Sequence, residues 1–243
     1  TASITDAAGN YKEVSDSVQI DTEVVPFNFS ALPVEGDDVI NGAEAANGVV
    51  LSGQVEANSV VTVEFGGQSI SVNAGSNGQW SANFPASAIA SGEYTATMKA
   101  TATDPAGNVS VITDTVLVDT HVNRLTSTDP VEGDNVVNAA EAADGITLGG
   151  TVEAGSTVMV TFQGISRAAT VDAAGNWTVT YAGSEIPAGE YDATVNIAAT
   201  DAHGNTDSIT DTFRVDTTEP EAPGIESVVV TPQGVSAMTI ETP

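Results

Sequence analysis

Apolar residues recur at every second position over much of the chain, in segments such as VVTVEF (60–65), YTATMKATAT (94–103) and ITDTVLV (112–118). A period of two, rich in Val, Ile, Thr and aromatic residues, is typical of β-strands with one buried face. Gly, Asn and Asp separate these segments, as expected of turns. Only AEAANG (43–48) and AEAADG (140–145) predict helix, a single short turn each. The pattern therefore predicts an all-β fold.

The strand pattern repeats at a constant offset of 97 residues. VEGDDVINGAEAANG (34–48) returns as VEGDNVVNAAEAADG (131–145), with 11 of 15 positions identical. The N-terminal DAAGNYKEVSDSVQIDT (6–22) copies the end of a repeat at an offset of 98. The sequence thus predicts four segments. They are the end of a preceding repeat (1–21), two full repeats (22–119 and 120–216), and the start of a divergent domain (217–243).

About seven short strands in a repeat of about 100 residues predict an immunoglobulin-like β-sandwich. Trp80 and Trp177 each follow a Gly-x turn and open a strand, where a buried anchor of the core is expected. Tyr94 and Tyr191 stand just before the penultimate strand, as corner tyrosines do in such sandwiches. We expect tandem sandwich domains in an elongated, monomeric array, each contacting its neighbours in the chain.

The charge of the chain restricts its partners. Its 33 Asp and Glu outnumber 5 Lys and Arg, for a formal net charge of -28. Such a surface repels nucleic acids and anionic membranes, and favours cations. There is no cysteine, which excludes disulfides and thiolate metal sites. No apolar run is long enough for direct membrane insertion. The first residues do not have the pattern of a signal peptide, so we expect an internal piece of a longer protein.

Several motifs in fixed order resemble a known family. GDDVINGAEAANGVVLSG, a Gly-x-Trp strand start, GEYTATMKATATDPAGN and a closing VLVDT are similar to the bacterial Ig-like repeats of giant surface adhesins exported by type I secretion. The resemblance covers about residues 1 to 220. It implies an extracellular location on the bacterial surface and a long array that holds a distal adhesive domain away from the cell. It also implies calcium ions that stiffen the joints between modules.

The acidic loop of each repeat carries the hard oxygen ligands that calcium prefers. The first copy supplies Asp37, Asp38, Asn41 and Glu44, and the second supplies Asp134, Asn135, Asn138 and Glu141. The spacing is not that of an EF-hand, because Val39 occupies the third position and Gly48 the twelfth. One loop alone is an incomplete cage. The remaining ligands must come from elsewhere in the fold.

Strand order predicts where those ligands come from. Alternate loops of a sandwich lie at alternate ends, so each acidic loop should face the next module and each Asp-x-x-Gly-Asn loop the preceding one. Like charges gathered at such a joint repel unless a cation lies between them. The predicted calcium ligands are Asp37, Asp38, Glu44, Asp119 and Asp201 between the repeats, Asp21 and Asp104 below the first repeat, and Asp134, Glu141 and Asp216 above the second.

Other interpretations stay open for these residues. Asp-Gly, Asn-Gly and Asp-x-x-Gly-Asn are also ordinary turn chemistry, and acidic loops are often only solvated. Asp114 and Asp211, in the last strand of each repeat, are expected to face outward and are left out of the predicted sites. His121 and His203 each occur in one copy only, and no nucleophile, phosphate-loop or histidine-rich motif is present. We therefore do not expect an enzyme.

The sequence favours a structural spacer stiffened by calcium, with a role in cell adhesion or biofilm formation. Two alternatives remain. One is an Ig-like module that itself binds a carbohydrate or protein, although aromatic residues make up only 5% of the chain. The other is an acidic repeat adapted to salty water, with no specific metal.

Overall fold

The computed structural model describes residues 1–222, 224–231 and 234–241. The chain divides into two compact units, Thr1–His121 and Val122–Pro243. This division falls two residues after the predicted boundary between the repeats. The bounds of the four predicted segments stay predictions.

The first unit opens with a hairpin and continues with two sheets. The hairpin pairs β1 (Ala2–Thr5) with β2 (Tyr11–Val14). One sheet has the order β3-β5-β8, and the other has the order β4-β10-β9-β6-β7. Neighbouring strands are antiparallel except for β4, which runs parallel to β10. The strands are β3 (Phe27–Phe29), β4 (Val39–Ile40), β5 (Val49–Val55), β6 (Val60–Phe65), β7 (Gln68–Asn73), β8 (Gln79–Phe84), β9 (Glu93–Thr103) and β10 (Val109–Asp119).

The second unit repeats this topology with one added strand. Its sheets have the orders β11-β13-β17-β16 and β12-β19-β18-β14-β15, and β12 runs parallel to β19. The strands are β11 (Thr126–Ser127), β12 (Val136–Asn138), β13 (Ile146–Thr151), β14 (Thr157–Phe162), β15 (Ile165–Ala168), β16 (Thr170–Val171), β17 (Asn176–Tyr181), β18 (Glu190–Thr200) and β19 (Thr206–Asp216). An antiparallel hairpin of β20 (Gly224–Thr231) and β21 (Gly234–Glu241) follows. The predicted all-β immunoglobulin-like sandwich is confirmed.

Alternate residues of each strand fill the core between the sheets. Trp80 and Trp177 are among the buried side chains, as predicted. Each ring lies against a glycine of the adjacent strand, and a Cβ added to Gly53 would lie 2.6 Å from the Trp80 ring. The Trp177 indole N–H donates to the backbone carbonyl of Thr126 at 3.0 Å. Asn28 occupies the position equivalent to Thr126, and the next residue, Phe29, meets the Trp80 ring edge-on.

The two predicted corner tyrosines bond to the backbone ahead of their strands. The Tyr94 hydroxyl donates to the carbonyl of Ala90 at 3.1 Å, and the Tyr191 hydroxyl donates to that of Pro187 at 3.0 Å. This is the tyrosine-corner arrangement of immunoglobulin-like sandwiches, and it confirms the prediction.

A crossover segment, residues 30–38, carries the chain from β3 in one sheet to β4 in the other. It contains a 3-10 turn at Val34–Gly36, and Glu35 and Asp38 adopt left-handed conformations with φ of 52° and 63°. The second unit has the same turn at Val131–Gly133. The predicted short helices follow as α1 (Gly42–Asn47) and α2 (Ala139–Asp144). In the described part of the chain, no helix is long and apolar enough to cross a membrane.

Asp114 and Asp211 lie on the side of their strands that carries the core residues, not on the outer face as expected, although Asp114 is exposed and Asp211 is half-buried. Asp114 pairs in register with Met98, which is buried. Asp211 pairs with Val195, also buried. Residues directly opposite in an antiparallel pair share a face of the sheet. Each carboxylate therefore continues the row of buried residues in β10 or β19 toward the open edge of the sandwich.

Candidate metal centre

The aspartates of the acidic loop hold the loop's own backbone. Asp37 accepts a hydrogen bond from the N–H of Val39 at 3.0 Å, and Asp38 accepts one from the N–H of Val34 at 2.8 Å. In the second copy, Asp134 accepts from the N–H of Val136 at 3.0 Å. A short side chain that bonds two residues ahead is an Asx-type turn contact. Turn formation therefore accounts for the position of these carboxylates.

The glutamates of the same loops cap the short helices. Asn41 accepts from the N–H groups of Ala43 and Glu44, and the Glu44 carboxylate accepts from the N–H of Asn41 at 2.9 Å. Asn138 and Glu141 make the same reciprocal bonds at α2. These are capping boxes, which satisfy backbone donors at the start of a helix.

The structure gathers a different acidic group in the first unit. Asp21, Glu56 and Asp104 each offer a carboxylate oxygen within 4.8 Å of the others. Asp21 precedes β3, Glu56 follows β5, and Asp104 follows β9. Two of the three were predicted as ligands of one joint. Among the described residues, no group of three carboxylates at this spacing includes Asp37, Asp38, Glu44, Asp134, Glu141 or Asp216.

Sequence reasoning missed Glu56. The signal for it is its recurrence as Glu153 at the 97-residue offset, in a loop of the same place in the strand order. In the first unit, the loop of Glu56 joins β5 to β6 and the loop of Asp104 joins β9 to β10. Four strands, an even number, separate the two loops, so both belong at the same end of the sandwich. The same argument from strand order that paired Asp21 with Asp104 would have added Glu56.

Asn108 ties two members of the group together. Its backbone N–H and its side-chain amide both donate to Asp104, at 2.8 Å each. The same amide also donates to Asp21 at 3.2 Å. Asp104 is 5% exposed, so its carboxylate is fixed in a largely buried position.

Asp-x-x-Gly-Asn loops elsewhere show which part of this arrangement is only turn chemistry. Asp6 and Asp172 accept the same backbone and side-chain bonds from Asn10 and Asn176. Both aspartates are exposed. The motif by itself thus builds a turn. Burial beside two further carboxylates distinguishes Asp104 from them.

The surroundings move the pKa values of the group in opposite directions. Loss of solvent raises the pKa of Glu56 above its ordinary value, and the charges of Asp21 and Asp104 raise it further. Burial acts to raise the pKa of Asp104 as well, but the hydrogen bonds from Asn108 and the loop backbone outweigh it and hold that pKa low. Asp104 is therefore held ionised, while the ionised form of Glu56 is disfavoured by its neighbours.

This donor set fits a hard divalent cation. Calcium takes oxygen ligands at about 2.3 to 2.6 Å, so two oxygens on one ion can lie up to about 5 Å apart. The 4.8 Å limit that joins Asp21, Glu56 and Asp104 meets that requirement. Three carboxylates leave further positions for water or backbone carbonyls. The absence of Cys and His from the group argues against a softer metal.

The chain repeats these residue types as Asp119, Glu153 and Asp201, at offsets of 98, 97 and 97 residues. Asp119 is the last residue of β10 and is 2% exposed. In the second unit, Glu153 accepts from the N–H of Asn123 at 3.1 Å. Asp201 is 7% exposed and accepts from the backbone and amide of Asn205, as Asp104 does from Asn108.

Asp216 ends β19 with local partners. The backbone N–H and the hydroxyl of Thr218 both donate to its carboxylate, at 3.2 and 2.7 Å. The hydroxyl contact, followed by the backbone one, lowers the pKa of Asp216. The predicted ligand set above the second repeat is thus held in three local arrangements, at Asp134, Glu141 and Asp216.

Comparison with known proteins agrees with the sandwich fold. Residues 37–120 match the family model of the bacterial Ig-like domain. A solved structure of a Ca²⁺-stabilized adhesin that helps an Antarctic bacterium reach out and bind ice is 31% identical, with a TM-score of 0.50. That match covers 92% of this chain and 57% of the other. No curated protein matches the sequence.

Two further solved structures come from ice-binding adhesins. One, from work on host cell surface retention of a 1.5-MDa bacterial ice-binding adhesin, is 30% identical over 87% of this chain and 70% of the other, with a TM-score of 0.49. The other is a bacterial immunoglobulin-like domain of the M. primoryensis ice-binding adhesin, 30% identical over 37% of this chain and 97% of that one, with a TM-score of 0.28.

The fold and the repeat define a tandem array of immunoglobulin-like modules. The chain belongs to the bacterial Ig-like domain family, with tandem repeats similar to those of large adhesins. It spans 57% of the length of the first of these structures.

Proposed function

We propose that this chain is part of the extender region of a bacterial cell-surface adhesin, stiffened by calcium at the joints between its Ig-like repeats. The observation that carries the proposal is the acidic group of the half-buried Asp21 and Glu56 and the buried Asp104, whose mutual repulsion a cation would relieve. Its residue types recur as Asp119, Glu153 and Asp201, so we extend the proposal to the joint between the repeats. The similar adhesins are surface proteins, and the extender would project a distal adhesive domain from the cell.

Linkage gives the expected effect of calcium. An ion that binds only the folded, aligned modules stabilises them by RT ln(1 + [Ca²⁺]/Kd). Extracellular calcium modules have Kd values of about 10⁻⁴ to 10⁻³ M. A protein exported by type I secretion is made in the cytoplasm, where the calcium concentration is low. The array would be flexible there and would become stiff outside the cell.

The test is calorimetric titration and thermal unfolding of the chain in chelator, calcium and magnesium. Calcium should raise the melting temperature and bind at millimolar or lower concentration, and magnesium should do much less. Small-angle X-ray scattering should show a narrower distribution of end-to-end lengths with calcium. The double variant Glu56→Gln, Glu153→Gln should lose most of the calcium response, because each substitution removes one charged ligand from a group.

A matched control is Glu35→Gln with Glu132→Gln, which removes two exposed glutamates that also recur at the 97-residue offset. This variant has the same net charge as the test variant and should keep the calcium response. Equal responses to sodium, magnesium and calcium would instead support an acidic surface adapted to salt. Equal loss in both double variants would indicate diffuse charge, not ligation.

A further inference from the structure

We propose that a groove in the first repeat binds the lysine side chain of a partner polypeptide. The groove lies beside the crossover segment (30–38) and has a volume of about 230 Å³. Its lining combines apolar side chains, among them Leu32, Val50 and Met98, with the carboxylates of Glu35, Asp38 and Asp114. This proposal is independent of calcium at the joints.

Asp114 supplies the charge at the inner wall. It stands on the core-facing side of β10, in register with the buried Met98. β4 pairs with β10 only at Leu117 and Val118, so the sandwich edge is open beside Asp114. Within the described chain, its hydrogen bonding is limited to the N–H of the adjacent Thr115. The Asp114 carboxylate is exposed and lines the groove together with the apolar Val50 and Met98.

In the second repeat, the equivalent aspartate, Asp211, has a different hydrogen-bond partner. There the hydroxyl of Ser127 donates to Asp211. Ser127 pairs with Gly150, and the residue that pairs with the corresponding Gly53 in the first repeat is Phe29, which has no hydroxyl group to donate. An internal partner thus satisfies Asp211, whereas Asp114 is left for a donor from outside.

The groove lining also differs between the repeats. At the 97-residue offset, Leu32 becomes Asp129, Val50 becomes Thr147 and Asp38 becomes Asn135. Leu32 and Val50 are 79% and 52% exposed, large values for apolar side chains. The first repeat alone therefore combines an exposed apolar slot with three acidic groups.

A lysine side chain matches this combination. Its four-carbon stem packs on apolar surface while the ammonium stays at a polar end. The ammonium is a compact charge with three donors, suited to carboxylates that converge from different segments. Asp38 is fixed by its bond from the N–H of Val34, and the left-handed conformation of Glu35 holds that residue at the rim. None of the chain's five basic residues lines the groove.

The experiment uses the full chain, labelled with ¹⁵N, and the blocked peptide acetyl-Gly-Lys-Gly-amide as the probe. Two-dimensional NMR should show saturable shifts at the amides of Val50, Met98 and Asp114. Asp114→Asn should weaken binding about tenfold, since a hydrogen bond to a charged group contributes about that factor or more. The matched substitution Asp211→Asn in the second repeat should leave the affinity unchanged.

A second variant guards against misfolding at Asp114. Leu32→Asp with Val50→Thr installs the residues of the second repeat at two exposed positions, and should also weaken binding of the lysine peptide. Peptides with norleucine or acetyl-lysine in place of lysine should not saturate the site. The proposal is overturned if Asp114→Asn binds the lysine peptide with unchanged affinity, or if the norleucine peptide binds with the same affinity as the lysine peptide. It is also overturned if an arginine peptide or calcium displaces the lysine peptide at equal concentration. Shifts that spread over all acidic surfaces without saturation would overturn it too.

Discussion

Acidic residues of the same type have different roles in this chain, depending on the groups that surround them. Asp172 and Asp104 begin the same turn and accept the same bonds, but only Asp104 is buried beside two other carboxylates. Glu44 and Glu56 are both half-buried, yet one caps a helix and the other faces two negative charges. The local motif decides the turn, and packing across the fold decides the electrostatics.

The raised pKa of Glu56 makes calcium binding dependent on pH. A proton on Glu56 competes with the ion, and the competition begins at a higher pH than for an ordinary glutamate because the pKa is raised. Calcium affinity should therefore fall as pH is lowered toward that pKa, and protons should be released on binding. Calorimetric titration in buffers of different ionisation enthalpy measures this release. Glu56→Gln should reduce it; an unchanged proton count would contradict the assignment.

Without calcium, the same residue should reduce stability at neutral pH. A carboxyl whose pKa is raised on folding contributes stability below its unfolded pKa, and that contribution is lost as pH rises through the folded pKa. Asp104 behaves oppositely: its lowered pKa contributes stability above the unfolded value that is lost on acidification. In chelator at pH 7, Glu56→Gln should thus melt higher than the parent, while Asp104→Asn should melt lower. Thermal unfolding followed by circular dichroism tests both, and the reverse order would refute the pKa argument.

At the scale of single elements, α1 and α2 give the asparagine and the glutamate of each acidic loop a structural role. Each begins at an asparagine whose side chain and partner glutamate form a capping box. Such a box needs one acceptor at each end and no ion. The acidic residues Asp37, Asp38 and Glu44 of VEGDDVINGAEAANG thus hold a tight turn and the start of a helix, and their role as calcium ligands stays a prediction.

Substitution at the cap should change stability but not calcium affinity. Asn41→Ala should destabilise the first unit by about 0.5 to 2 kcal/mol, the usual effect of losing such a cap. Asn138→Ala is the matched change in the second unit and should have a similar effect. Glu44→Gln should leave calcium affinity unchanged, because Gln can still accept from the Asn41 N–H. Urea unfolding and calorimetry separate the two effects, and a large loss of affinity in Glu44→Gln would restore Glu44 as a ligand.

Strands, short helices and core aromatics could be predicted because each depends on a local pattern. The period of two located strands such as β9, and the Gly-x-Trp turns located both tryptophans in the core. The grouping of Asp21, Glu56 and Asp104 depends instead on three loops that are distant in sequence. The inward position of Asp114 was also mispredicted, since a charged residue in an alternating strand is normally assigned to the solvent face. The open edge beside β10 is what permits the exception.

The whole molecule carries an unusual excess of negative charge for its size, with a formal net charge of -28. Charge of one sign at this density destabilises a compact state through self-repulsion. Both sodium and calcium relieve repulsion, but only a ligated ion does so at a defined place. The two contributions differ in their dependence on ion concentration.

In chelator, the melting temperature should therefore rise gradually with sodium chloride, as the screening length falls to about 10 Å at 0.1 M. With calcium present at millimolar concentration, the same salt series should have a smaller effect. Differential scanning calorimetry at several salt concentrations measures both slopes. Identical slopes with and without calcium would mean that bound ions neutralise no significant part of the repulsion.

The two tryptophans give each unit its own optical reporter. The sequence holds only two, Trp80 in the first unit and Trp177 in the second. Both tryptophans are buried at the same place in the sandwich. The Trp177 indole N–H donates to a backbone carbonyl. Within the described chain, the Trp80 indole N–H has no acceptor, and the Trp80 ring meets Phe29. Hydrogen bonding of the indole changes its absorption and emission. Fluorescence can thus follow the unfolding of neighbouring modules separately in one unlabelled chain.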